Sequence, residues 1–158
     1  GPARSSLSGK AKSRSPRTST TFPKRSRGLL AVTMNLLLDT HVLLWALSDD
    51  PQLGEAARDT LGDGANLVFV SAVTAWEIAI KKALGKLKAP DNYLEALARN
   101  RFTPLDITSE HALAVERLPP YHSDPFDRLL VAQATLEAFT LVTHDRRLDA
   151  YGARVLLV

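Results

Sequence analysis

From Met34 onward, short unbroken apolar runs alternate with stretches of helical spacing, separated by Gly, Pro and Asp clusters. Asn35-Leu-Leu-Leu38 is too short for a helix and reads as a strand. Val42, Leu43, Leu44, Ala46 and Leu47 follow at helical spacing until Asp49-Asp50-Pro51 stops that helix and starts another. Leu67-Val-Phe-Val70, β-branched and aromatic, predicts a second strand. Ser71 then caps a helix carrying Trp76, Ile80 and Leu84 one turn apart and ending at Gly85. A helix across Asp91 to Asn100 places Tyr93, Leu94 and Leu97 on one face, and Thr103 to Ile107 is extended, with Pro104 pointing to a sheet edge. Ser109 to Leu118 predicts a short helix before Pro119-Pro120, and Asp124-Pro125 opens a stronger one that carries Leu129, Leu130, Ala132, Ala134 and Leu136. Thr140 to Thr143 and Arg154 to Val158 read as the last two strands, with a helix between them.

About five strands alternating with helices make this an α/β chain, whose mostly parallel sheet is covered by helices on both faces. Such sheets bind ligands at the carboxyl ends of their strands, near the point where strand order reverses. Acidic and hydroxyl residues recur at those predicted ends. Asp39 follows the first strand, Ser71 the second, and Thr143-His144-Asp145 closes the fourth. Glu77 and Asp127 fall early in the helices that follow Ser71 and Asp124.

The 158 residues allow one domain with a tail. The absence of cysteine excludes disulfides, thiolate zinc sites, iron–sulfur clusters and cysteine nucleophiles. No apolar run reaches the roughly 18 residues of a membrane span. The net charge of +3 averages two unlike segments: eight of the 20 basic residues and none of the 17 acids precede Met34. Residues 1–33 therefore carry +8, and 34–158, with 12 bases against 17 acids, carries −5. The basic leader, rich in Ser, Thr, Pro and Arg, is expected to be disordered. It reads as a remnant of tag removal or of translation upstream of Met34, as an RNA-binding arm, or as a targeting segment.

Gathered carboxylates repel, so several ionised within a few ångströms need protons or a cation. Oxygen donors without a His or Cys pair at ligand spacing favour Mg²⁺ or Mn²⁺ over Zn²⁺. Such a cation positions a phosphodiester and activates water, which is the chemistry of nucleic-acid hydrolysis. Each acid also has a structural reading. Asp39 and Asp124 are candidate helix caps, Asp127 a first-turn acid favoured by the helix dipole, Glu77 a solvated residue between two buried ones, and Asp145 a turn residue. His41, His111, His122 and His144 read as surface or supporting residues, and Trp45, Trp76 and Phe126 as core rather than base-stacking platforms. Lys81, Lys82, Lys86 and Lys88 form a solvated helix end or a guide for RNA phosphates.

Four blocks taken together, Leu38-Asp39-Thr40-His41, Trp76-Glu77-Ile78, Asp124-Pro125-Phe126-Asp127-Arg128-Leu129-Leu130-Val131-Ala132-Gln133-Ala134 and Val142-Thr143-His144-Asp145, resemble the PIN-domain ribonucleases. The similarity is closest to the VapC toxins of bacterial toxin–antitoxin modules, and it spans 34–158. It implies an α/β/α sandwich and a site of Asp39, Glu77, Asp127 and Asp145 that binds Mg²⁺ or Mn²⁺ and cleaves RNA. Within that site Asp39 and Asp127 are expected to bind the metal most directly, with Thr143 as a supporting hydrogen-bond donor and Asp124 a cap first. The resemblance also implies a homodimer, a VapB-type antitoxin partner and a bacterial cytoplasmic setting. A catalytically idle RNA-binding or oligomerisation module of the same fold is the alternative, although an idle site has no need of four acids. A haloacid-type phosphatase would want a second Asp two residues after Asp39, where His41 stands.

Overall fold

The computed structural model describes residues 33–158, so the expected leader of 1–33 lies, but for Thr33, outside the described residues. The strands are β1 (Asn35–Leu38), β2 (Leu67–Ser71), β3 (Phe102–Leu105), β4 (Thr140–Thr143) and β5 (Val155–Leu157). Between them run α1 (Thr40–Leu47), α2 (Glu55–Gly62), α3 (Ala72–Ala83), α4 (Tyr93–Arg99), α5 (Ser109–Ala114) and α6 (Pro125–Glu137). Short 3₁₀ turns occupy Pro51–Leu53, Val115–Arg117 and Arg146–Tyr151. The last of these stands where a helix was expected between β4 and β5.

All strand pairs are parallel and the sheet order is β3-β2-β1-β4-β5. Pro104 sits on edge strand β3, where its missing N–H does least harm.

The unbroken apolar run of β1 follows from burial on both faces. Leu36 and Leu38 pack with α1, α2 and α4 through Leu43, Leu47, Leu61 and Leu97. Leu37, pointing the other way, packs with Leu130, Val131 and Ala134 of α6. The same alternation sends Val68, Val70 and Val142 to the first face and Phe69 and Leu141 to the second. These two clusters flank the sheet and make a three-layer α/β/α sandwich.

Local signals hold where they involve backbone caps. The Ser71 hydroxyl accepts from Val73 N at 3.0 Å and starts α3. Asp124 caps α6, with Pro125 at its first position. Helix faces are a different matter. Trp76 and Leu84, expected inward, are 59% and 62% exposed, and Leu94 is 71% exposed. Trp45 and Phe126 are only half-buried. On α3 the buried side chains are Val73, Thr74, Glu77 and Ile78 instead. The spacing of Trp76, Ile80 and Leu84 is as regular as that of a core face, so only docking against the sheet decides between them. Among the described residues, no helix is long and apolar enough to cross a membrane.

Candidate active site

The chain runs outward from β1 through β2 to β3, then returns to place β4 on the other side of β1. Strand order reverses between β1 and β4, and the crevice beyond their carboxyl ends is where Asp39 and Thr143 lie.

Asp39 is 3% exposed. Its backbone N–H donates to the Val142 carbonyl at 3.0 Å, prolonging the β1–β4 ladder by one residue. Its Oδ1 accepts from Val42 N at 2.8 Å, so it caps α1. That role uses one oxygen only. The other accepts from the Thr143 hydroxyl and lies 3.9 Å from His144 Nδ1. Burial raises the Asp39 carboxyl above its usual range, against the opposing pull of these hydrogen bonds.

Asp127 stands in the first turn of α6. Burial first, then repulsion from Asp124, Asp39 and Glu77, pushes its carboxyl up to about 7, with His122 pulling the other way. Asp39 and Asp127 therefore repel one another electrostatically, with imidazoles beside both and the charges of Lys81 and Arg147 also reaching Asp127.

Glu77 is 5% exposed, contrary to the solvated reading. Its Oε1 accepts from the Thr40 hydroxyl at 2.5 Å and its Oε2 from Lys81 at 2.6 Å. Asp145 is bound more completely. Its two oxygens accept from Arg147 Nε at 3.0 Å and Nη2 at 2.8 Å, and Arg147 N adds a bond of 3.0 Å. This fork holds the Asp145 carboxyl well below the usual carboxylate range. Asp124 accepts from Phe126 N at 2.8 Å and Asp127 N at 3.2 Å, which is the geometry of a cap. The predicted acids thus gather at one sheet edge but differ in charge compensation: Glu77 and Asp145 are bonded directly by Lys81 and Arg147, whereas beside Asp39 and Asp127 stand histidines, His144 at 3.9 Å and His122 at 3.2 Å.

His122 has a larger part than the supporting place the sequence suggested. It is buried, and Asp124 N donates to its Nδ1 at 3.0 Å, so the proton of the neutral ring sits on Nε2. That nitrogen is 3.2 Å from Asp127 Oδ2 and 3.1 Å from Asp145 Oδ2, bridging the two acids. Among the described residues, His122, Asp127 and Asp145 form a group whose ligand atoms all lie within 4.8 Å of one another. Nothing in the spacing of His122 announces this, beyond its place two residues before the Asp124 cap. The ring is held from behind: His122 N donates to the Tyr151 hydroxyl at 2.9 Å. Arg128 ties down the same loop, donating to the carbonyls of Val115, Leu118 and Pro119 at 2.8 to 3.1 Å and to the Tyr151 hydroxyl at 3.2 Å.

The donor set fits a hard divalent cation. Carboxylate oxygens dominate it, and burial, joined at Asp127 by repulsion from its acidic neighbours, makes Asp39 and Asp127 hold their protons more tightly than usual, a cost that a bound cation would relieve.

Comparison with known proteins agrees with this geometry. The family model described as PIN domain matches residues 36–153. Ribonuclease VapC22 of Mycobacterium tuberculosis is 32% identical over 123 residues, covering 73% of this chain and 91% of that one. Among solved structures, VapBC2 from Rickettsia felis bound to a DNA fragment from its promoter aligns with a TM-score of 0.61 at 17% identity, over 78% of this chain and 98% of that one. A toxin–antitoxin complex from Klebsiella pneumoniae aligns with a TM-score of 0.51 at 21% identity, over 77% and 95%. An acid-lined crevice at the β1/β4 reversal, a sandwich shared with these structures and a family match across nearly the whole described region place this chain in the PIN domain family.

Proposed function

We propose that this chain is the toxic ribonuclease of a toxin–antitoxin module, hydrolysing RNA phosphodiester bonds with Mg²⁺ or Mn²⁺. The observation that carries the reading is the crowding of Asp39 and Asp127 at the strand reversal, where burial and repulsion push the second carboxyl up to about 7. The similarity to a protein named as a ribonuclease supports RNA as substrate. Neighbours solved as toxin–antitoxin complexes support a VapB-type antitoxin as partner.

Asp39 and Asp127 would hold the cation directly, with Glu77 and Asp145 completing the set. Bound there, it would neutralise phosphate charge and supply an activated water. The rest is the work of the chain. The Thr143 hydroxyl fixes the Asp39 oxygen that the α1 cap leaves over. Lys81 and Thr40 fix Glu77, while His122 and Arg147 keep Asp145 ionised and aimed beside Asp127. A homodimer in the bacterial cytoplasm completes the proposal; large apolar side chains left exposed on α3 and at its end, Trp76 and Leu84, offer surface for association.

Purified protein should cleave RNA in Mg²⁺ or Mn²⁺ and stop on addition of EDTA; equal cleavage in chelator would overturn the metal-dependent reading. In cells, expression should arrest growth, and co-expression of the adjacent antitoxin gene should restore it. A folded protein without effect on growth would favour an idle module instead.

A further inference from the structure

Three aromatic rings converge on the outer side of the acidic crevice. His41 and Trp45 lie one turn apart on α1, with ring centroids 6.2 Å from each other. His144, directly after β4, sits 5.1 Å from His41 and 5.0 Å from Trp45. The His144 side chain is 41% exposed and His41 is exposed, so the two histidines front solvent, while the half-buried Trp45 joins them to the core. The cluster also touches the reaction centre: His144 Nδ1 lies 3.9 Å from Asp39 Oδ2, and His41 is two residues from Asp39. From there a cleft of about 260 Å³ opens along α1, its lining including His41, Trp45, Leu47, Asp50, Lys88 and Pro90.

The site described above uses only the Nδ1 edge of His144, near Asp39, and none of the hydrogen bonds given for the acids involves His41 or Trp45. Surface-facing aromatic groups beside a site for an anionic backbone are the arrangement that single-stranded nucleic acid uses, because every base has a π-face to stack and each phosphate needs a place among charges. We propose that His41, Trp45 and His144 form a stacking niche for one unpaired base of the RNA, next to the phosphate that a cation held by Asp39 and Asp127 would engage, with Lys88 beside the path of the strand. The proposal deepens the ribonuclease reading and rests on it. It predicts preference for single-stranded over fully paired RNA, since a base within a duplex cannot reach the rings. Discrimination among the four bases should be modest, since stacking is tolerant of base identity.

The test measures binding of short single-stranded RNAs by fluorescence anisotropy, with Ca²⁺ in place of Mg²⁺. One RNA is intact and the others carry a single abasic nucleotide moved along the strand. For the full chain, one abasic position should weaken binding about tenfold, the size expected of a stacked base. In His41→Ala and Trp45→Leu the same abasic substitution should cost less than about twofold, because the ring it would have met is gone or reduced. Trp45 also packs against the core, so its variant is checked by thermal melting; should it fail to fold, the exposed His41 decides the matter. Equal loss at that position in parent and variants would overturn the niche, as would the absence of any abasic effect, and would leave the cleft to a protein segment. If no RNA binds under any metal condition, the ribonuclease reading falls together with the niche. Cleavage that persists without base dependence removes the niche alone.

Discussion

The hydroxyl of Thr143, at the end of β4, donates to Oδ2 of Asp39, at the end of β1, joining residues 104 positions apart. The same Thr143 oxygen accepts from Asp145 N at 3.0 Å. One buried side chain therefore orders both the acid beyond β1 and the turn that presents the acid beyond β4. Thr143→Val keeps the shape and removes the donor. We expect metal affinity and cleavage to fall about 10- to 100-fold, with Thr143→Ser restoring most of both. Isothermal titration with Mn²⁺ reads the first quantity and RNA cleavage the second; unchanged affinity would reduce Thr143 to a strand-end hydroxyl.

The raised carboxyl of Asp127 makes the metal-free protein sensitive to pH. A group whose pKa is higher folded than unfolded stabilises the fold below its unfolded value of 3.8, and that contribution is lost as the pH rises through about 7. Asp39, raised as well, acts in the same direction. Asp145, lowered by Arg147, acts in the opposite sense, and its contribution is lost only in stronger acid. In EDTA the melting temperature should therefore be lower at pH 8 than at pH 5.

Asp127→Asn should flatten that slope, raise the melting temperature at pH 8 above that of the parent, and abolish cleavage. Asp39→Asn should abolish cleavage too, with a smaller gain in stability, because the Asp39 carboxylate also caps α1. Gross unfolding of either variant would show that the acid is structural.

For Asp124, the cap geometry predicts a loss of about 1 kcal/mol in Asp124→Ala, read by urea unfolding. Substantial activity should remain, and repulsion on Asp127 should ease, since Asp124 is the nearest of the acids in its effect. Activity lost as fully as in Asp127→Asn would move Asp124 among the groups that hold the metal.

Arg128→Met should cost about 3 kcal/mol, because it strands several carbonyls of the 115–122 loop that Arg128 now satisfies. Part of the activity should go with it, through the loosened His122. A stability loss below about 1 kcal/mol would mean that water replaces the guanidinium at little cost.

Much of this protein could be read from its chain because the informative signals are local. Three leucines in a row at 36–38 identify a strand buried on both faces, and Ser71 and Asp124-Pro125 mark helix starts through bonds to amides two or three residues away. Parallel strands joined by helices place Asp39 and Thr143 at a common edge, so the location of the acids followed from element order.

What sequence could not decide is whatever depends on partners distant in the chain. Trp76 and Glu77 are neighbours, yet the apolar one is exposed and the charged one buried, because the rotation of α3 is set by docking, and Thr40 and Lys81 meet Glu77 at its buried end. The four acids looked alike, but Arg147 pairs with Asp145 and Lys81 with Glu77, while Asp39 and Asp127 repel each other with only hydrogen-bond donors and histidines in direct contact. His122 holds its bridging place on a loop that Tyr151 and Arg128 tie down from elsewhere in the chain. Short-range periodicity and capping act before the chain is packed; desolvation and charge pairing exist only once residues a hundred positions apart share the same few ångströms.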